Sequence, residues 1–237
     1  MTTFPVFGIG EPHLDKIVIA IDGPAASGKS TVAKVIAREL SFLYVDSGAL
    51  YRGITWAGLS RNIAATDCTA LVAMLDESTI ECSVSEGEIR FTIDAQAPCR
   101  ELRSAEVNNN VSHVAAQENV RLRVVNWLRD MIRFGDLVME GRDIGTKVFS
   151  DARYKFYLDA TENERTRRRH LENAENLSVD EVGANLKKRD AIDSSRTVDP
   201  LKVAPDAHVI DTTKLSVEDV VARVLGFIDK KPDEGAG

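Results

Sequence analysis

Apolar and polar positions along this chain switch between two periods, and the switches divide it into strands and helices. Residues 16–22, Lys-Ile-Val-Ile-Ala-Ile-Asp, are an almost unbroken apolar run with the length of a strand buried on both faces. Beyond residue 30, Val32, Val35, Ile36 and Leu40 recur at helical spacing. A second core strand is predicted over 42–45, and a helix over 49–61 with Leu50, Ile54 and Ala57 inward. Ser104 reads as a helix cap ahead of Val107, Val111 and Val114. The next helix, 120–134, turns Val124, Val125, Leu128, Met131 and Ile132 inward and stops at Gly135. Core strands follow at 136–140, 153–158 and 207–210. Thr161-x-x-Glu164 and Ser178-x-x-Glu181 read as capping boxes, and Ser216-x-x-Asp219 opens a closing helix with Val217, Val220, Val221 and Val224. Five core strands separated by helices predict an α/β, doubly wound, five-stranded parallel sheet.

One region breaks the alternation. A short helix near 71–75 leads into apolar–polar alternation at 80–84 and 89–93, split by the polar turn Ser85-Glu-Gly-Glu. This predicts an antiparallel hairpin within a small insert, 62–103. The ends, 1–15 and 230–237, read as frayed.

Between the first strand and its helix lie residues 23–30, Gly-Pro-Ala-Ala-Ser-Gly-Lys-Ser. They fit Gly-x4-Gly-Lys-[Ser/Thr], and strand, glycine loop, helix is the arrangement that aims backbone N–H groups at an anion. Gly23 and Gly28 let the backbone approach phosphates, Lys29 reaches the β- and γ-phosphates, and the Ser30 hydroxyl takes a place on Mg²⁺. The loop with Pro24, Ala25, Ala26, Ser27 and Thr31 is thus the candidate ATP site.

Composition narrows the partners. Thirty Lys and Arg against 37 Asp and Glu give a formal charge of -7, which excludes a general nucleic-acid coat or an anionic membrane surface. Three cysteines without metal-type spacing, no signal peptide and no stretch long enough to span a bilayer point to the cytoplasm.

Further charged residues gather where such sheets bind ligands, beyond the carboxyl ends of the strands. Asp46-Ser47 ends the second strand, Gly141-Arg142-Asp143 follows the third, and Arg52 lies about one turn into the next helix. Arg165, Arg168 and Arg169 share one helical face, which reads either as a solvated charged face or as a lid closing over polyphosphate. Arg189, Asp193 and Arg196 share another, which alone reads equally as a surface ion pair.

Residues 19–52, IAIDGPAASGKSTVAKVIARELSFLYVDSGALYR, and 140–149, EGRDIGTKVF, resemble bacterial cytidylate kinases, and the similarity runs from Lys16 to Ile228. The resemblance implies a P-loop NTPase of adenylate-kinase-like fold. Within one kinase domain, 1–237, it implies a core of 16–61, 104–160 and 197–229, a monophosphate-binding insert, 62–103, and a helical lid, 161–196. It implies ATP- and Mg²⁺-dependent phosphorylation of CMP and dCMP by a monomer, without nucleic acid or membrane as partner. Lys29, Arg168 and Arg169 would carry the transferring charge, with Arg52 and Arg142 on the acceptor phosphate beside Asp46. Ser47, Ser112, Arg121 and Asp143 would surround the cytosine, Asp193 would meet the sugar, and Arg189 and Arg196 would lie near the phosphates. Ser112 and Arg121 are nine residues apart, so one straight helix would put them on opposite faces. Where relatives carry a proline this chain has Ala116-Gln-Glu-Asn119, and Asn119 offers a cap after a break. The residues alone leave open a kinase for another small acceptor, such as UMP or a shikimate-like acid, or a nucleotide-dependent switch. The cluster of Arg52, Arg142 and Asp143 favours an acceptor pocket over a switch.

Overall fold

The structure, a computed structural model, describes residues 16–172 and 177–228. The ends expected to fray lie outside the described residues, as do 173–176 of the lid region. Eight α-helices and seven strands are found among those described. Val18–Asp22 (β1) is buried at every position because helices cover both faces of its sheet. Around it run Leu43–Asp46 (β2), Leu137–Gly141 (β5), Tyr154–Asp159 (β6) and His208–Asp211 (β7), all parallel, in the order β2-β5-β1-β6-β7.

Alternate residues of β1 feed two separate cores. Val18 and Ala20 face the layer of Ser47–Ser60 (α2), Cys68–Glu77 (α3), Ala105–Ala115 (α4) and Glu118–Asp130 (α5). Ile19 and Ile21 face Lys29–Leu40 (α1) and Val217–Ile228 (α8). A one-residue slip of β1 would exchange these faces, so the pattern sets the register. The stretch expected to form a lid holds two helices, Glu162–Glu172 (α6) and Val179–Ser195 (α7).

Two results extend the five-stranded expectation. Ile80–Ser85 (β3) and Glu88–Ile93 (β4) form the expected hairpin, but β4 also lies parallel to β2 through the single pair Tyr44–Glu88, giving a seven-stranded sheet. Ile80, Ile89 and Ile93 join the apolar cluster beneath α2, and a Cβ on Gly53 of α2 would stand 2.5 Å from the Phe91 ring. The helix break falls at Ala116 and Gln117, with Gln117 extended at the N-cap position of α5. Asn119 is therefore inside the first turn and is not the cap.

The Ser178 and Ser216 boxes form as expected. The Thr161 box does not. Glu164 turns instead to Arg167 and Arg168, and the Thr161 N–H donates to Thr213 Oγ1 at 3.0 Å.

Gly23 marks the tightest backbone approach at the end of β1. Its φ is 147°, and a Cβ there would meet the Leu158 carbonyl oxygen at 2.1 Å. Gly23→Ala is expected to cost about 2–4 kcal/mol, combining strain at positive φ with overpacking against backbone. Urea unfolding checks this, and a loss under ~0.5 kcal/mol would show that the loop shifts freely.

Candidate active site

The carboxyl end of the parallel sheet is where the charged residues meet. Asp22 closes β1, and its two carboxylate oxygens accept the Ile144 and Gly145 N–H groups, each at 2.8 Å. That fixes the glycine loop to the turn after Gly141-Arg142-Asp143. Burial, opposed by those two bonds and reinforced by Asp143, raises the Asp22 carboxyl to about 6.

Gly28 caps α1 in the left-handed conformation, and Lys29 folds back beneath the loop. Its ammonium donates to the Pro24 carbonyl at 2.6 Å and to Ser27 Oγ at 3.3 Å. Burial and then Arg142 pull Lys29 below the usual lysine range, with Glu140 and Asp22 opposing. An anion entering the loop would offset that burial cost.

Ser30 donates to Glu140, as does Tyr44 from its phenol at 3.0 Å. Burial and then Asp46 raise the Glu140 carboxyl. A hydroxyl beside one buried carboxylate fits Mg²⁺ that arrives with phosphate oxygens, since magnesium uses few protein ligands. A dedicated cage is not built: among the described residues no three His, Cys, Asp or Glu side chains gather into one.

A second charged group is assembled from α2, β5 and α7. Asp46 caps α2 by accepting the Ala49 N–H at 2.9 Å, and its other oxygen holds Arg52 at 2.6 Å. Ser47 Oγ donates to the Glu140 carbonyl at 2.7 Å. Arg142 Nε donates to Asp193 at 3.0 Å, so Asp193 pairs across to β5's end and not with Arg189 on its own helix. The surface ion-pair reading of that face is thereby corrected. Burial, followed by Arg142 and Arg169, lowers the Arg189 guanidinium to about 10. Its Nε is buried without a partner, like that of Arg52.

Arg168 and Arg169 diverge. Arg168 points to the glycine loop, donating to the Ser27 carbonyl at 3.3 Å, to Thr212 Oγ1 at 2.9 Å and to the Thr212 carbonyl at 2.6 Å. It lines a cleft of about 370 Å³ with Gly28, Thr31, Leu215 and Val217. Arg169 lines a smaller one of about 120 Å³ with Asn108, Asn109, Asn185 and Arg189. Arg165 bonds Asp190 and the Ala25 carbonyl (3.1 Å), while Asp190 accepts the Ala25 N–H at 3.1 Å. The three arginines of α6 are therefore individually paired and do not stand on one open face.

A third group lies beyond Gly141. Arg121, fully buried, reaches Asp143 through Nη2, the Ala115 carbonyl through Nη1 (3.1 Å) and Asp199 through Nε (3.2 Å). The break before α5 makes this possible: Arg121 turns back onto the carbonyl end of α4, the end that carries buried Ser112. Arg196 ends α7 with Nη2 3.3 Å from Asp143.

Thr212, Glu140, Asp22, Asp190 and Asp199 were not singled out in the sequence. Three of them sit where a parallel sheet presents ligands: Asp22 and Glu140 near the carboxyl ends of β1 and β5, and Thr212 just past β7. That rule alone would have flagged them. Asp190 and Asp199 carry no local signal, since their partners are Ala25 and Arg121.

A glycine loop over a buried lysine, a hydroxyl on a carboxylate and a second, arginine-lined pocket define a phosphotransferase of the P-loop class. The chain belongs to the cytidylate kinase family, whose model matches residues 19–230. It is 44% identical to a cytidylate kinase of Geobacillus sp. over 92% of this chain and 98% of the relative. It is 42% identical to one of Bacillus licheniformis over 91% and 97%. Among solved structures, an uncharacterized protein from Eubacterium ventriosum has a TM-score of 0.52 at 15% identity, covering 91% of this chain and all of that one. A sugar kinase from Janibacter sp. has a TM-score of 0.50 at 13% identity, covering 94% and 99%. These two share the fold.

Because Asp22 is raised from 3.8 to about 6, it favours the folded state in its neutral form. That contribution is full below the unfolded value and is lost as pH rises through the folded one. Relative to Asp22→Asn, the parent should lose up to about 3 kcal/mol of stability between pH 4 and 7. Denaturant titrations of both at each pH check this, and a difference that stays flat would refute the raised carboxyl.

Proposed function

We propose that this chain transfers the γ-phosphoryl group of ATP to CMP or dCMP with Mg²⁺, as a cytoplasmic monomer. The observation that carries this reading is the pairing of two pockets at one sheet end, one around the glycine loop and one lined by arginines. The cleft at Gly28, Thr31, Thr212 and Val217 takes the donor nucleotide. The loop from Gly23 to Thr31, including Ala26, would hold its phosphates, and Ser30 with Glu140 would hold the metal, which would neutralise charge on the phosphate oxygens.

Arg52, Arg142, Arg169 and Arg189 take the acceptor phosphate, and their buried, unpartnered Nε atoms at positions 52 and 189 suit an oxyanion. Asp193, tied to Arg142, sits next to this group for the sugar, with Arg196 beside it. No covalent intermediate is needed. Lys29 and the arginines hold donor and acceptor in line and stabilise charge as it moves. The insert, 62–103, and the lid, 161–196, are read as the bodies that close over the two substrates and exclude water.

Arg121 and Asp143 read the base, together with Ser47 and Ser112. Arg121 has five N–H donors, and three are committed to Asp199, Ala115 and Asp143. The two that remain suit N3 and O2 of cytosine, and the Asp143 carboxylate suits the N4 amino group. Uracil would present a donor to donors and an oxygen to an oxygen.

Lys29→Ala is expected to lower kcat on the order of 100-fold or more with an unchanged far-UV spectrum, as for the loss of one preorganised charge. Activity within about threefold of the parent would remove Lys29 from the mechanism. CMP is expected to exceed UMP by roughly 100-fold or more in kcat/KM, and Asp143→Ala to shrink that ratio mainly by losing CMP activity. ADP release with each nucleoside monophosphate, on parent and variant, measures both; a ratio that Asp143→Ala leaves intact would mean that another group reads the base.

A further inference from the structure

Arg121 is the largest side chain among the fully buried ones, and its guanidinium is oriented by acceptors from three different places. The Ala115 carbonyl belongs to α4 and Asp143 to the turn after β5. The third acceptor, Asp199, lies in the segment that follows α7, 78 residues from Arg121. We propose that Asp199 is a positioning residue for base selection. By accepting the Nε–H of Arg121 it sets the guanidinium plane, so that the two uncommitted Nη donors face the acceptor edge of cytosine. The inference rests on reading Arg121 and Asp143 as the base site.

Two observations beyond the single bond support it. The first is the balance of charge. Arg121 and Arg196 both lie on Asp143, and each is a buried like charge to the other. With Asp143 alone, two guanidiniums would share one carboxylate, and little of its charge would remain for an amino group on the base. Asp199 supplies a second carboxylate, at 3.2 Å from Arg121 Nε, so that Asp143 does not have to balance both guanidiniums alone.

The second is the backbone. Asp199 has φ 47°, in the left-handed region that a non-glycine residue occupies at a cost. That turn is held from both sides. Arg196 Nε donates to the Asp199 carbonyl at 2.7 Å, and the Leu201 N–H donates to the Asp193 carbonyl at 2.8 Å. The turn thus ties the end of α7, which carries Asp193 and Arg196, to the guanidinium of α5. It points the carboxylate inward, where its other oxygen meets only half-exposed Lys147 at 3.4 Å.

The test compares Asp199→Gly with Asp199→Asn. Glycine accepts the positive φ without strain, so it removes the carboxylate and leaves the turn. Asparagine keeps an oxygen that accepts Nε–H and tolerates the same φ. For Asp199→Gly we expect KM for CMP to rise about 10-fold or more and the CMP:UMP ratio of kcat/KM to fall by a similar factor. KM for ATP should stay within about twofold, and Asp199→Asn should recover most of the CMP:UMP ratio. If the glycine variant is too unstable to assay, Asp199→Ser, whose hydroxyl falls short of Nε, is read in the same way. A lower thermal midpoint with an unchanged CMP:UMP ratio would overturn the inference, because a merely structural residue does that. A parent that uses CMP and UMP equally would remove the base-site reading and this inference together. A parental preference that survives in the glycine or serine variant removes this inference alone.

Discussion

The structure depends on one constraint, the holding of positive charge inside protein at the carboxyl ends of parallel strands. Lys29 is nearly inaccessible, Arg121 is fully buried, and Arg142, Arg189 and Arg196 are largely enclosed. An isolated buried cation is prohibitive, so each needs carboxylates or carbonyls near it. Asp22 supplies them from the end of β1, Glu140 and Asp143 from the end of β5 and its turn, Asp193 from α7 and Asp199 from the segment beyond it. The doubly wound sheet makes this possible because all five parallel strands finish on the same edge. Where compensation is left incomplete, at Arg52 Nε and Arg189 Nε, the molecule has room for an anion of its own choosing.

How much of this could be read from the chain follows from the range of each interaction. β1 and β5 were legible because burial on both faces leaves continuous apolar runs, and the glycine loop because its steric demands are met within eight residues. The Ser178 box was equally local. The Thr161 box was not formed, because arginines at i+3 and i+4 from Glu164 outbid the helix terminus for its carboxylate. The helix break was expected, but its position moved to Gln117, where extended backbone and not a side-chain cap starts α5. The hairpin was visible as an alternating pattern, while its one-pair attachment to β2 left no trace in composition.

The site was legible in its members more than in its pairings. Arg142 and Asp193 were both candidates, yet nothing local pairs residues 51 positions apart in place of the neighbour one turn away. The separation of Arg168 from Arg169 has the same origin. Adjacent positions on a helix point about 100° apart, and only the placement of α6 between the glycine loop and α4 gives each its own pocket.

The attachment of β4 has a mechanical meaning. Along the sheet, β1 shares five register pairs with β5, whereas β2 and β4 share one. A backbone bond from the Tyr44 N–H to the Gly87 carbonyl at 2.9 Å and the exposed Lys34–Glu88 pair belong to that seam. A sheet built this way is paired continuously across its middle and only briefly at one margin. The hairpin is held to the body more by its side chains than by that seam: Ile80, Ile89 and Ile93 join the core beneath α2, and Gly53 lets the Phe91 ring lie directly on the helix.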